Sequence, residues 1–170
     1  MEVWDAYDEN RELLPDFSIQ RAEWPYLHLN DVYHLAVNVW VQHEDGDWLF
    51  MRRSSQKSHY PGIYELGAGG SVLQGETSLE AAKRELFEET GQAVEHLDFL
   101  FSFTEVEHRT HFDTYIAQFS CSKDAIICQE EETDGYVWVP SADLDTFLFR
   151  QPVFQNQRQQ FLDFLQKESD

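Results

Sequence analysis

Glu85, Glu88 and Glu89 are the residues of this chain whose type and spacing most plainly suit chemistry. They fall at i, i+3 and i+4, so on a helix three carboxylates share one face within about a turn of height. Like charges so placed repel by a few tenths of a kcal/mol per pair on an isolated helix, and by more once water is excluded. Arg84 beside them relieves part of that repulsion, and a divalent cation would relieve the rest. Hard oxygen donors without a nearby cysteine select Mg2+, with Mn2+ as the alternative, rather than zinc.

The flanking residues predict how these carboxylates are positioned. Thr77 followed by Glu80 is a capping-box signal, Leu79, Ala82 and Leu86 recur at helical spacing, and Gly91 stands where a helix would end. The pattern predicts a helix over 78–90. Ahead of it, Gly67, Gly69, Gly70 and Gly75 predict a loop able to take positive φ and to approach a ligand closely. Gly69 and Gly70 are therefore candidates for binding a metal-bound phosphate.

The spacing Gly70, Glu76, Arg84, Glu85, Leu86, Glu88, Glu89, Gly91 resembles the Nudix box, the signature of a family of metal-dependent diphosphate hydrolases. One place departs from the pattern: an aliphatic residue is usual after the last glycine, where this chain has Gln92. The resemblance implies an α/β fold, a Nudix-type α/β/α sandwich with a mixed central sheet. It also implies attack of water on phosphorus in a diphosphate linkage, the substrate being a nucleoside diphosphate derivative or a related compound. Glu85, Glu88 and Glu89, with Glu76 or Glu132 in support, would hold Mg2+, and Arg84 would orient Glu85 through a salt bridge. The general base is Glu85 or a loop glutamate. Glu132, shortly before Trp138, is the first choice for the latter and Glu131 the next, against the bland reading of a solvated charge run.

Two other readings compete. Isopentenyl diphosphate isomerases carry a similar box, a preceding Pro-Gly turn and an opening similar to EVWDAYDEN that forms a hairpin ahead of the core. They use a cysteine that would align near Gly69, and no cysteine lies between Met51 and Gln92. A ligand-sensing module without turnover would usually show an eroded box, which this is not.

At 170 residues with 42% hydrophobic and 15% aromatic content, the chain can fill the core of a single domain, 1–170, comprising an N-terminal hairpin or extension (1–33) and a core (34–170). A formal charge of -20 argues against nonspecific binding to nucleic acid or to an anionic membrane. An anionic small molecule must then be attracted locally, and Arg52, Arg53 and Lys57 form a basic cluster suited to its phosphates. Cys121 and Cys128 suit a reducing compartment as ordinary small residues. With no apolar run of membrane-spanning length and an acidic start unlike a signal peptide, a cytoplasmic enzyme is expected, and the family resemblance makes a homodimer common.

The remaining elements follow from pattern. A strand and turn open the chain, and RAEWPYLHLND reads as a loop or short helix. HLAVNVWVQ, an Asp-Gly turn and WLFMRRS make a hairpin, with Val37, Val39 and Val41 alternating against Asn38 and Trp40. A turn at 60–62 leads into a short strand at 63–66. LDFLFSFTEVE and HFDTYIAQFSC are strands joined by EHRTH, whose His108 and His111 read as a solvated turn, with a metal site as the lesser reading. YVWVP is a further strand, SADLDTFL a short helix opened by Ser141, and Phe154, Phe161, Leu162 and Leu165 form an amphipathic stripe packing on the sheet.

Overall fold

The computed structural model describes residues 1–24 and 31–170. Its contacts divide the chain into two compact units. One comprises Met1–Val39, Gly69–Phe87 and Ala93–Ala117, the other Trp40–Ala68, Glu88–Gln92 and Gln118–Asp170. Among the described residues the main sheet has the strand order β5 (Tyr64–Leu66), β4 (Trp48–Arg53), β3 (His34–His43), β8 (Thr110–Phe119), β7 (Asp98–Glu105), with β6 (Ala68–Ser71) also on β3 and β9 (Thr133–Val139) also on β4, which gives the α/β class expected.

In the first unit β1 (Val3–Tyr7) pairs antiparallel with β2 (Leu13–Gln20), Trp4 lying opposite Ile19 and Asp5 opposite Ser18. This is the N-terminal hairpin that the family resemblance implied. The composition between Asp8 and Asn30 did not announce its second strand, because β2 is mostly exposed and carries Pro15. The Asp8 carboxylate closes the turn by accepting the N–H groups of Asn10 (2.8 Å) and Glu12 (2.9 Å). Trp4, Ala6, Ile19 and Val32 form a small core against which Leu14, Trp24 and Leu73 pack. Of the loop or short helix expected over RAEWPYLHLND, residues 21–24 make one 3-10 turn, and residues 25–30 lie outside the described residues.

β3 (His34–His43) begins in this unit and runs into the other. Val37, Asn38, Val39, Trp40 and Val41 are all buried, so the alternation expected from the sequence does not separate a wet face from a dry one. A central strand covered on both faces reads as a near-continuous apolar run, and Asn38 was a poor marker of solvent. β7 (Asp98–Glu105) and β8 (Thr110–Phe119) form an antiparallel hairpin, closed by a turn in which Arg109 adopts φ 48°. His108 is exposed there, 3.2 Å from Glu105. His111 is buried, with Nδ1 bonded to Thr104 Oγ1 (2.8 Å) and Nε2 to Asp8 O (2.7 Å). Both ring nitrogens of His111 are committed, so the lesser metal reading loses its second ligand.

In the second unit β4 (Trp48–Arg53) follows β3 through a turn where Gly46 takes φ 96°. It pairs antiparallel with β5 (Tyr64–Leu66) and with β9 (Thr133–Val139). Ser141 does not open the next helix: its hydroxyl donates to Gly46 O (2.8 Å), a 3-10 turn spans Ser141–Asp143, and α2 runs over Leu144–Arg150. The last helix, which becomes α3 in chain order, spans Gln155–Ser169 and packs its Phe161 edge-on against Trp40 (5.3 Å) and Trp48 (4.8 Å). Phe164, which the stripe omitted, joins it on Trp40 at 5.4 Å. Burying a side chain of this size contributes about 2–3 kcal/mol, which fixes α3 to the sheet far more firmly than its helix propensity does. Among the described residues no helix is long and apolar enough to cross a membrane.

Candidate active site

Helix α1 spans Ser78–Thr90, the bounds its sequence predicts. The capping box is present: Glu80 Oε2 accepts the Thr77 N–H (2.8 Å), and Thr77 Oγ1 accepts the Glu80 N–H (3.2 Å). At the other end Gly91 takes φ 70°, and a Cβ there would stand 3.0 Å from Ile127 Cβ, so glycine is required twice over. Gln92 does not leave the helix end loose. Its side-chain amide donates to Ala125 O (2.8 Å), a polar tie in place of the usual aliphatic contact. The buried face consists of Ala81, Ala82 and Leu86, whereas Leu79, expected to belong to it, is 41% exposed. Leu79 and Ala82 share the helical spacing, but one turn at the N-terminus carries Leu79 past the edge of the packed stripe.

The glycine-rich segment is not a loop throughout. Gly69 and Gly70 belong to β6 (Ala68–Ser71), which pairs with β3, and only Gly67 and Gly75 take positive φ, at 70° and 77°. What Gly69 and Gly70 supply is close approach. A Cβ on Gly69 would lie 2.7 Å from Val37 O, and one on Gly70 only 2.3 Å from the carboxyl carbon of Glu85. Gly70 is thus the cradle of the Glu85 carboxylate.

Arg84 organises what surrounds that carboxylate. Its Nε and Nη2 donate to Glu76 Oε1 (2.8 Å) and Oε2 (2.9 Å), its Nη1 donates to Glu85 Oε1 (2.6 Å), and Nη2 also reaches Ser71 O (3.0 Å). The fork geometry of the guanidinium suits this bidentate grip, which a lysine could not reproduce. Burial pushes the Glu76 carboxyl pKa up, but the Arg84 bonds and charge, together with the Leu73 N–H at 3.0 Å, outweigh it and leave the group below the ordinary range. The hydrogen bonds to Glu76 and Glu85 in turn raise the pKa of Arg84 above its ordinary value, so the clamp is charged throughout the usable pH range.

Helix α1 carries Glu88, exposed, and Glu89, half-buried, one turn beyond Glu85. Among the described residues no three His, Cys, Asp or Glu side chains converge closely enough to hold a metal ion. The Glu85 carboxylate is drawn instead to Arg84. The donor types nonetheless suit a hard divalent cation: carboxylates at i, i+3 and i+4 along one helix.

The other sequence-derived candidates lie in the second unit. Glu132 is ion-paired with Lys57, and its backbone O accepts the Ser54 N–H (2.8 Å), while Glu131 stands in a left-handed turn at φ 69°. Arg53 donates through Nε to His59 O (2.8 Å) and lies 3.8 Å from Glu65. Arg52 is exposed at the end of β4. The basic cluster is therefore partly neutralised, Arg52 being its most accessible member. Sequence reasoning missed Ser71 O and the Leu73 N–H, because backbone partners leave no residue-type signal.

These features have a common setting. The chain belongs to the NUDIX domain family, whose model matches residues 32–164. One relative is an uncharacterized Nudix hydrolase of Listeria innocua, 36% identical over 113 residues that make up 66% of this chain and 62% of that protein. The chain thus spans about three fifths of the length of the first curated relatives it matches. Another relative is an isopentenyl-diphosphate Delta-isomerase of Corynebacterium diphtheriae, 29% identical over 128 residues, 69% of this chain and 70% of that one. Among solved structures, a Deinococcus radiodurans protein superposes with a TM-score of 0.73 at 23% identity, covering 89% of this chain and 92% of that one, a likeness of fold.

Proposed function

We propose that this chain is a Mg2+-dependent Nudix hydrolase that cleaves the diphosphate linkage of a nucleoside diphosphate derivative by attack of water on phosphorus. The observation that carries the reading is the cradle: Gly70 leaves room for the Glu85 carboxylate, and Arg84 fixes that carboxylate from the other side at 2.6 Å. Pinning one acid of a helical cluster, with Glu88 exposed and Glu89 half-buried one turn on, suits a site that gathers cations around phosphate.

Glu85, Glu88 and Glu89 are the residues that would hold Mg2+, which when bound supplies Lewis-acid polarisation of the phosphate oxygens and a water of lowered pKa. Arg84 does not touch substrate in this reading: it orients Glu85. Glu76, whose oxygens are taken by Arg84 and the Leu73 N–H, acts as an anchor for Arg84 in preference to a ligand. The base that takes the proton of the attacking water is Glu85 or Glu132, the latter held by Lys57. Arg52, Arg53 and Lys57 would attract the phosphates locally in a chain whose net charge repels them. Gly69 and Gly70 would let that phosphate approach the backbone of β6.

The isomerase relative keeps a second reading in play, opposed by the absence of any cysteine between Met51 and Gln92. One experiment separates them. Nucleoside diphosphate sugars, dinucleoside polyphosphates, oxidised nucleotides and isoprenoid diphosphates are incubated with Mg2+ in 18O-labelled water, and the products are weighed by mass spectrometry. The hydrolase reading expects one 18O atom in a phosphate product. Rearrangement of an isoprenoid diphosphate with no 18O incorporated from any substrate would overturn it.

A further inference from the structure

Strand β1 is paired on both edges. On one side it runs against β2. On the other, Val3 O accepts the N–H of Gln74 (2.8 Å), and the Asp5 carboxylate accepts the N–H of Gly75 (2.8 Å). Those two residues belong to the connection between β6 and α1. Gly75 takes φ +77° there, and the next residue is Glu76, whose N–H donates to Leu73 O (3.0 Å) and whose Oε2 accepts the Leu73 N–H (3.0 Å). Glu76 then holds Arg84, and Arg84 holds Glu85. The Leu73 side chain packs on the Trp4 core of the hairpin, so the same connection is held by its backbone and by an apolar contact.

The far end of the hairpin is fastened as well. Arg11 Nη2 lies 2.5 Å from Asp113 Oδ1, and Asp8 O is bonded to His111 at 2.7 Å. A two-stranded ribbon is marginal by itself, so these fastenings are what make β1 a rigid edge for residues 73–76 to bind. Residues 1–20 lie outside the stretch matched by the family model, 32–164. The loop that anchors the family's own signature residues is therefore braced by a segment the family model does not include.

We propose that Asp5 is a positioning residue for the candidate active site. Its carboxylate fixes Gly75 so that Glu76 meets Arg84, and Arg84 is thereby aimed at Glu85. The proposal rests on the hydrolase reading for its consequence, but not for its geometry.

The test compares Asp5→Ala, which removes the acceptor, with Asp5→Asn, which keeps a neutral one. Amide hydrogen exchange of residues 73–76 is measured without metal, the dissociation constant for Mn2+ alone is measured by EPR titration, and kcat and KM are measured on the substrate identified from the panel. In Asp5→Ala the Gly75 amide should exchange about tenfold faster, with Mn2+ binding and kcat weakened by up to about tenfold, the scale of one lost hydrogen bond; Asp5→Asn should stay within about threefold of wild type. Wild-type exchange at Gly75 in Asp5→Ala overturns the proposal. So does a lowered Tm with Mn2+ affinity and kcat unchanged, the signature of a role in stability alone. Should the wild-type chain neither bind Mn2+ nor hydrolyse any substrate, the hydrolase reading fails, and the Gly75 exchange rates still decide whether Asp5 holds the loop.

Discussion

Replacing Gly70 by alanine isolates the cradle from every other feature of the site. Gly70 is not among the residues of positive φ, so its backbone accepts a Cβ, and the whole effect arises from what that carbon meets. It would stand 2.3 Å from Glu85 Cδ and 2.4 and 2.5 Å from the two carboxylate oxygens, where ordinary contact begins near 3.4 Å. The carboxylate must retreat by about 1 Å or change rotamer, at a cost of ~0.5–1.5 kcal/mol if it goes off-rotamer. Either movement breaks the 2.6 Å bond from Arg84. A hydrogen bond between charged groups is worth ~1.5–3 kcal/mol. The two side chains are 24% and 13% exposed, so solvent screens the pair only in part. Stability should therefore fall by ~1–2 kcal/mol, or a few degrees in Tm for a chain of this size. Turnover should fall ~10–100-fold, because the misplaced group is the one argued to hold the reacting centre. The assay is steady-state kinetics with saturating Mg2+ on whichever panel substrate is cleaved best, alongside a thermal melt. A Gly70→Ala protein that melts within about 1 °C of wild type and keeps kcat within ~2-fold would refute the cradle argument.

Three further perturbations follow. His34 is held to about 4, below its ordinary 6.5, by burial and then by the charge of His111. The unfolded chain takes up the proton near pH 6.5 and the folded chain does not until about pH 4, so stability is fullest above pH 6.5 and falls across that window by up to ~1.4 kcal/mol per pH unit. His34→Phe should flatten the decline of Tm between pH 7 and pH 5, and an unchanged slope would contradict the assignment. The depressed pKa of Glu76 acts with the same sign at lower pH: its contribution is present above the ordinary carboxylate range near pH 4.5 and is lost as pH falls through the folded value. Glu76→Gln should accordingly cost ~1–2 kcal/mol at pH 7 and less at pH 3 by denaturant melts, and an equal cost at both would show that charge is not what matters. Phe161→Ala, which empties the site between Trp40, Trp48 and Phe50, should destabilise by ~3–5 kcal/mol in urea unfolding, and a loss below ~1 kcal/mol would mean that α3 is not anchored there.

Helix α1 was legible in the sequence to the residue, because its start, stop and acidic face are local: Thr77 and Glu80 cap it, Gly91 ends it, and the glutamates follow its pitch. The β3–β4 hairpin was legible for the same reason. Strand β2 was not, since Leu13–Gln20 is exposed along most of its length and is a strand because β1 lies beside it. Gly69 and Gly70 were read as loop glycines that let a ligand approach, whereas they lie in β6, and what their missing Cβ atoms admit is Val37 O and the Glu85 carboxylate. Composition cannot tell a glycine that supplies positive φ from one that removes a Cβ between a strand and a helix. The pairing of Arg84 with Glu85 followed from the family resemblance, whereas its contacts with Ser71 O and, through Glu76, with the Leu73 N–H are backbone events that carry no residue signature.

The central claim is that the acidic face of α1 gathers a dication that acts on a diphosphate. It is tested most directly by turnover of the wild-type chain and of the Glu88→Gln, Glu89→Gln double variant, each assayed for phosphate or nucleotide release with Mg2+ and with EDTA. The account predicts release by wild type that EDTA abolishes, and a loss of at least ~100-fold in the variant at an unchanged Tm. Equal turnover by the two proteins, or release that persists in EDTA, would contradict it.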